Sequence, residues 1–333
     1  MRRRRVLGIG LAALLVVPER VSAQQAPAKI PRVGILASGD NERAPMFDAF
    51  RAGLRDLGYV EGRNIILEFR FTRGDRSLGP KLAAELLALP VDVIVSEGLG
   101  PRSAVDPSGR IPIVSPVMMN PVELGSAARL ARPGGNITGF TLMHTELNGK
   151  RVELLHNAFP QIATIAALVN PAASGTKMAF EQTETAARSL GLGSVRKVEI
   201  ANAEALRALR PEVFSEAGGV VVVPDGLFYD YHRDVVALVN EARLPAIYPE
   251  REYADDGGLM AYGANVADNF RQAAGYVDRI LKGAKPGDLP IQEPVKFDFI
   301  VNLKTARELG LTISPAIFAR ADEVIEQQPP SEK

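Results

Sequence analysis

The sequence predicts an α/β protein of two lobes, each built on a mainly parallel sheet, joined by a hinge of several strands. Three observations predict this. Short apolar runs alternate with amphipathic helical stretches, the pattern of strands buried between helix layers. The alternation passes through about five strands and then restarts, which implies two similar lobes. The C-terminal part does not simply continue the second set, so its elements are expected to cross back between the lobes.

The elements follow in order. Residues 1–23 read as a cleavable secretory signal peptide. Arg2, Arg3, Arg4 and Arg5 are its basic region and Val6 to Val17 its apolar region. Val21-Ser22-Ala23 supplies the cleavage site, leaving Gln24 as the new N-terminus. A membrane-spanning helix needs about 20 apolar residues, and this run stops at Pro18-Glu19-Arg20. Twin-arginine export is the lesser alternative to the general secretory route, because the Ser-Arg-Arg-x-Phe-Leu-Lys core is missing. Gly8-Ile9-Gly10 mimics a dinucleotide-binding motif, but no strand precedes it and it lies in the segment to be removed.

Strands are expected at Arg32–Ala37, Asn64–Phe71, Val91–Val95, Ile111–Val114 and Ile137–Leu142. Between them, Met46, Phe47, Phe50, Leu54 and Leu57 mark one helix face and Leu78, Leu82, Leu86 and Leu89 another. A small-residue helix is expected over Val122–Ala131. The second set has strands Thr164–Val169, Ser194–Ile200, Val220–Val223, Pro245–Tyr248 and Leu259–Tyr262. Its helices are Leu147–Phe159, Lys177–Leu190, Glu204–Glu216 and Tyr231–Ala242. Helix Asp268–Lys282, an extended segment Val295–Leu303 and helix Lys304–Leu309 complete the chain. The expected first lobe is 30–142 plus about 265–290, and the second 143–264 plus about 291–326. Residues 327–333 are a polar tail, expected to be disordered.

Composition narrows the partners. Lys plus Arg and Asp plus Glu both number 39. Removing the signal peptide, with five Arg and one Glu, leaves about −4 on the remaining 310 residues, a poor match for nucleic acid. Cysteine is absent, so there is neither a disulfide framework nor a thiolate metal site. His144, His156 and His232 share no metal-ligand spacing. No Gly-x-Ser-x-Gly elbow, phosphate loop or His-Glu-x-x-His occurs. Asp255-Asp256-Gly257-Gly258 lacks the ligand spacing of a calcium loop and reads as a polar turn. Carboxylates look scattered as on any surface. No cofactor, metal or catalytic group is expected.

In open parallel α/β sheets, ligands bind beyond the carboxyl ends of the strands. The residues expected there are Ser38, Gly39 and Asp40, Glu97 and Gly98, and Asn120 and Pro121 in the first lobe. In the second they are Asn170, Asp225, Tyr248, Tyr253 and Tyr262. Ser38 and the amides around Gly39 can donate to a carboxylate. Asp225 can accept from an ammonium or hydroxyl group. Tyr248, Tyr253 and Tyr262, with Phe228 and Tyr229, can stack on an apolar ligand body.

Several stretches then carry a resemblance. They include Gly53-Leu54-Arg55-Asp56-Leu57-Gly58-Tyr59-Val60-Glu61-Gly62-Arg63-Asn64, Leu130-Ala131-Arg132-Pro133-Gly134-Gly135-Asn136-Ile137-Thr138-Gly139 and Gly257-Gly258-Leu259-Met260-Ala261-Tyr262-Gly263. With Leu244–Tyr248, Phe297–Leu311 and Arg320–Ile325, the chain resembles the substrate-binding proteins of ABC transporters, in the tryptophan/tyrosine-binding subfamily. The resemblance implies the type I periplasmic binding protein fold, with two Rossmann-like lobes. It also implies capture of a small molecule, an amino acid or aromatic compound, by hinge closure, and delivery to an ABC permease. A periplasmic monomer is expected. Relatives tend to carry Gly-Gly-Thr-Pro-Ala where this chain has Glu97-Gly98-Leu99-Gly100-Pro101, which adds a carboxylate near the cleft. They tend to carry Asp-Pro-Val where it has Asn120-Pro121-Val122, which removes one. An exported enzyme or a sensory ligand-binding module on the same scaffold are the alternatives. A DNA-binding repressor would need an N-terminal helix-turn-helix.

Overall fold

A computed structural model describes residues 29–326, apart from 39–41, 43, 74, 98–105, 107, 119–120, 123–124, 126, 144–146 and 174. The expected signal peptide and the tail 327–333 lie outside the described residues.

The first lobe begins with β1 (Arg32–Ala37) and α1 (Pro45–Asp56). Pro45 at the first helical position suits the start of α1, where an amide hydrogen has no partner to lose. Phe47, Phe50 and Leu54 bury one helix face, each contributing roughly 1.5–3 kcal/mol. Gly58, at φ 88°, closes the helix: its amide donates to the Arg55 carbonyl and that of Tyr59 to the Leu54 carbonyl, at 2.9 and 3.0 Å. Then come β2 (Ile66–Phe71), α2 (Gly79–Leu87), β3 (Val93–Glu97), β4 (Ile113–Met118) and β5 (Ile137–Thr141). The five strands are parallel, in the order β2-β1-β3-β4-β5.

The second lobe runs α3 (Asn148–Ala158), β6 (Ile165–Val169), α4 (Thr176–Ser189), β7 (Val195–Glu199), α5 (Ala203–Ala208), β8 (Gly219–Val222), α6 (Gly226–Asp230), α7 (His232–Glu241), β9 (Ala246–Tyr248), α8 (Arg251–Asp255) and β10 (Met260–Ala264). Next is α9 (Val266–Leu281), followed by β11 (Phe297–Asn302), α10 (Leu303–Leu309), α11 (Pro315–Phe318) and β12 (Glu323–Ile325). The second sheet is ordered β12-β11-β10-β9-β8-β6-β7. Its strands pair in parallel except β10 with β11. The α/β class and the two lobes with parallel sheets agree with the sequence reading.

α9 follows β10 in sequence but packs in the first lobe. Its Phe270, Ala273, Ala274 and Val277 share a core with Phe47, Phe50 and Leu54, and Phe270 meets Phe47 edge-on at 5.4 Å. The Asn265 amide, just before α9, donates to the Lys296 carbonyl at 3.0 Å, just before β11. Segments passing in opposite directions between the lobes are thus hydrogen-bonded to each other. Gln292 still bonds to β5, through Gly139 and Thr141, before the chain leaves for β11.

Several expected elements differ. The described residues of Val122–Ala131 form turns, not a helix. Gly125 takes φ 67°, and the Ala127 and Ala128 amides donate out of the segment to the Pro121 and Pro133 carbonyls. The expected helix Glu204–Glu216 breaks after Ala208, because Pro211 has no amide hydrogen and restricts the residue before it. Strand β4 runs on through Pro116 to Met118, with its register shifted against both neighbours. β3 likewise runs on through Glu97, so Ser96 and Glu97 belong to a strand and not to the loop expected there.

The α1–α9 contact is close because residue 53 is glycine. A Cβ there would lie 2.4 Å from the Arg271 carbonyl oxygen and 2.9 Å from the Ala274 Cβ. Gly275, on α9, has open space at its Cβ position. Gly53→Ala should therefore cost about 1–3 kcal/mol through overpacking, while Gly275→Ala should stabilise by about 0.5–1 kcal/mol. Urea denaturation midpoints check both, and equal shifts for the two would contradict the packing argument.

Candidate functional site

The strand order β2-β1-β3 reverses direction between β1 and β3, and β7-β6-β8 does so between β6 and β8. Such switch points leave a crevice at the carboxyl ends of the strands. Each lobe places a carboxylate there. In the first, Ser38 follows β1 and Glu97 ends β3. The Ser38 amide and hydroxyl both donate to Glu97 Oε2, at 3.0 and 3.2 Å. In the second, Asn170 follows β6 and Asp225 lies three residues beyond β8. Asn170 Nδ2 donates to Asp225 Oδ1 at 3.0 Å, and the same oxygen caps α6 by accepting from the Leu227 amide at 2.8 Å.

α6 and α8 furnish the rest of the second-lobe edge. Tyr229 donates to Glu252 Oε1 at 3.4 Å. Its hydroxyl is raised well above the usual phenol pKa, by burial and then by Glu252, Glu97 and Glu250. Glu97 belongs to the other lobe, so the two edges face each other within electrostatic reach. Tyr253, 0 % exposed, stacks on Tyr248 with ring centroids 5.1 Å apart. Burial raises its pKa as well, followed by Glu250, Asp225 and Glu252.

Beneath this edge lies a fully buried Arg151, on α3. Its Nε donates to the Tyr262 carbonyl at 2.8 Å and its Nη1 to Asn148 Oδ1 at 2.7 Å. Burial pulls the guanidinium down to about 10, so it stays charged at neutral pH, and Glu250 acts against that shift. Burial pushes the Glu250 carboxyl up to about 8, against the pull of Arg151. Gly263 lets β10 pass close to this corner, since a Cβ there would lie 1.9 Å from the Pro249 carbonyl oxygen. Beside α8, His232 Nδ1 is 2.6 Å from the Tyr229 carbonyl and Nε2 is 2.7 Å from Asp256 Oδ2. Burial opposes the charged imidazole, but these bonds outweigh it and raise the His232 pKa. Among the described residues no group of three His, Cys, Asp or Glu is arranged to hold a metal.

Of the residues expected from sequence, Ser38, Glu97, Asn170 and Asp225 stand at the switch points, and Tyr253 lies within reach of Asp225 and of Glu250 and Glu252. Ser38, expected to receive a ligand carboxylate, instead donates to Glu97. Tyr248 is wholly buried in the second-lobe core, as is Phe228. Tyr262 packs its ring near Phe297 and Phe299, at 6.2 and 6.3 Å, and contributes its carbonyl. Pro121 is buried in a turn. Gly39, Asp40, Gly98 and Asn120 lie outside the described residues. Sequence reasoning missed Arg151 and Glu252, and it placed Glu250 in the edge loop Tyr248-Pro249-Glu250 without giving it a role. One signal existed: Arg151 falls on the helical stripe Leu147, Leu154, Leu155 and Ala158, where a lone charge among apolar positions needs a buried partner. The carboxylates that looked scattered along the chain are gathered by the fold at this edge.

Comparison with known proteins agrees with the architecture. A profile of the family described as ABC transporter substrate binding protein matches residues 35–325. A protein named tyrosine-binding protein, from Clostridioides difficile (strain R20291), is 24% identical over 263 residues, 79% of this chain and 75% of that one. The crystal structure of an ABC domain in complex with L-Trp, from Streptococcus pneumoniae, is 22% identical with a TM-score of 0.78. It covers 89% of this chain and 100% of its own. The ligand-free, open structure of a substrate binding protein with adhesive properties, from Clostridium difficile, is 21% identical with a TM-score of 0.66, over 90% of this chain and 100% of that one.

The buried Glu250 gives a pH prediction. Unfolded, its carboxyl loses its proton near 4.5; folded, near 8. The stability it contributes when protonated is fully present below the lower value and is lost as pH rises through the higher one. Glu250→Gln cannot ionise, so the variant should gain melting temperature over the parent progressively across that window, by several degrees at its upper end. A difference in melting temperature that does not change with pH would refute this.

Proposed function

The chain belongs to the ABC transporter substrate binding protein family, and we propose that it captures a small organic molecule between its lobes and delivers it to the permease of an ABC uptake system. Members of this family bind substrates and are not catalysts, and they work outside the cytoplasm. The observation that carries the reading is that each lobe brings a switch-point edge with a hydrogen-bonded carboxylate, Glu97 held by Ser38 in one and Asp225 by Asn170 in the other. A ligand bound there touches both lobes, so its binding energy favours the closed arrangement. The hydrogen-bonded crossings around Asn265 and Lys296 provide the pivot.

The names of two relatives, a tyrosine-binding protein and a complex with L-Trp, support a ligand that pairs a polar head with an aromatic or apolar body. Tyr229 offers its hydroxyl and half-buried ring to such a molecule, and Tyr253 a buried hydroxyl. Among the described residues no helix is long and apolar enough to cross a membrane. Residues 1–23, with the basic and apolar regions of a signal peptide, fit export to the periplasm and release of a chain beginning at Gln24.

A thermal-shift screen of amino acids, aromatic acids and amines finds the ligand. A bound ligand at 100 times its Kd should add about 2.7 kcal/mol of stability, and small-angle scattering should show a smaller radius of gyration. A tight ligand that leaves the shape unchanged would sink hinge closure. N-terminal sequencing of protein recovered from the periplasmic fraction should begin at Gln24. An uncleaved chain retained in the cytoplasm would refute export.

A further inference from the structure

Among the described residues, the facing edges are lopsided in charge. Glu97 stands there from the first lobe, and Asp225 and Glu252 from the second, with the buried Glu250 behind them. Their fields meet at the hydroxyls of Tyr229 and Tyr253. Arg151 lies beneath the edge, fully buried, where it donates to the Tyr262 carbonyl and to Asn148. His232 and Arg251 also act on Glu252, but each has a carboxylate of its own. His232 lies 2.7 Å from Asp256, and Arg251 grips Glu323 at 2.7 and 2.8 Å.

Two further observations are independent of that balance. The Tyr253 hydroxyl is completely buried yet has no hydrogen-bond partner among the described residues, and Oε2 of Glu252 is likewise buried without one. Buried polar atoms of this kind are costly unless a partner is supplied. Moreover, among the described residues the donors at the first switch point are already engaged. The Ser38 amide and hydroxyl both serve Glu97, so a ligand carboxylate can reach them only by displacing a carboxylate of the protein.

We propose that the solute is an organic cation whose positive group sits among Glu97, Asp225, Glu252 and the phenols of Tyr229 and Tyr253, with no carboxylate at the Ser38 end. This rests on the solute-binding reading and narrows it to one chemical class. An ammonium or guanidinium group donates to carboxylates, and the half-buried ring of Tyr229 attracts it as well. Binding also couples to protons. Burial holds Glu250 and Glu252 above the ordinary carboxylate range. Glu250 faces Arg151, Asp225 and Glu252, while Glu252 faces His232, Arg251 and Asp255. A cation favours the ionised carboxylates, so binding at neutral pH releases protons.

Calorimetric titration of the purified protein tests this with matched probes. Tyramine, L-tyrosine and 3-(4-hydroxyphenyl)propionate present a cation, a zwitterion and an anion on one ring. Tryptamine, L-tryptophan and indole-3-propionate repeat the comparison, and choline and agmatine widen the cation set. The amines should bind at least about tenfold tighter than the matching amino acids, and the acids should not bind. The heat should vary with the buffer's ionisation enthalpy in the sense of proton release. Glu97→Gln should weaken the amine about tenfold or more, by loss of a charged hydrogen-bond partner. Glu252→Gln, at a half-buried position, should reduce the protons released, and it serves if Glu97→Gln fails to fold. An amino acid or an acid that outbinds its amine overturns the cation assignment and leaves the solute-binding reading intact. Silence from every cation overturns it too. If neutral and anionic metabolites are equally silent, the solute-binding reading falls with it.

Discussion

A carboxylate taken out of water must find donors or a cation, and this demand shapes the facing edges of both lobes. At the first switch point Glu97 receives the amide and hydroxyl of Ser38. At the second Asp225 receives the Asn170 side chain and the Leu227 amide. The parallel is topological. Strands β2-β1-β3-β4-β5 and β7-β6-β8-β9-β10 repeat one order, so the chain diverges at the same place in each sheet and leaves the same kind of crevice. A residue just past the first strand of each set then meets a carboxylate at or beyond the end of the third.

The second-lobe wall is held from below. Arg151 joins α3 to the Tyr262 carbonyl on β10 and acts on Glu250 beyond β9. A buried guanidinium and carboxyl support each other only while both are present, because removing one strands the other in a medium that solvates it poorly. Tyr248 and Tyr253, stacked in the core, set the height at which the Tyr253 hydroxyl emerges among the carboxylates. The groups facing a ligand are thus placed by strand ends and short helices locked by packing, the arrangement that keeps a binding geometry fixed.

The sheet was legible because its strands are apolar on both faces. Val93 to Val95 and Val220 to Val222 are buried throughout, and such runs permit few other readings. Element ends were less legible, since they depend on partners distant in sequence. Ser96 and Glu97 look like loop residues until β1 and β4 flank them. Val122–Ala131 has helical composition, yet its amides find Pro121 and Pro133 instead. The site was half legible for the same reason. The rule for switch points reaches Ser38, Glu97, Asn170 and Asp225 through strand ends alone. Whether a tyrosine after a strand faces core or cleft depends on the register of β9 and the turn at Pro249, and Tyr248 fell to the core.

Charge on both edges has a consequence for closure. Bringing Glu97 toward Asp225 and Glu252, with Glu250 joining them once ionised, places like charges together in a region from which water is leaving, where their repulsion grows. On the proposed closure, an empty cleft therefore resists closing unless its buried carboxyls carry protons, as the raised pKa of Glu250 allows. A cation removes the resistance directly, and it does so only when it touches both edges. On the cation reading, the negative groups set affinity and also make closure conditional on the right occupant. A neutral molecule of the same shape would fill the space and leave the repulsion in place. Discrimination then comes from the free energy of the empty closed state as much as from contacts to the ligand.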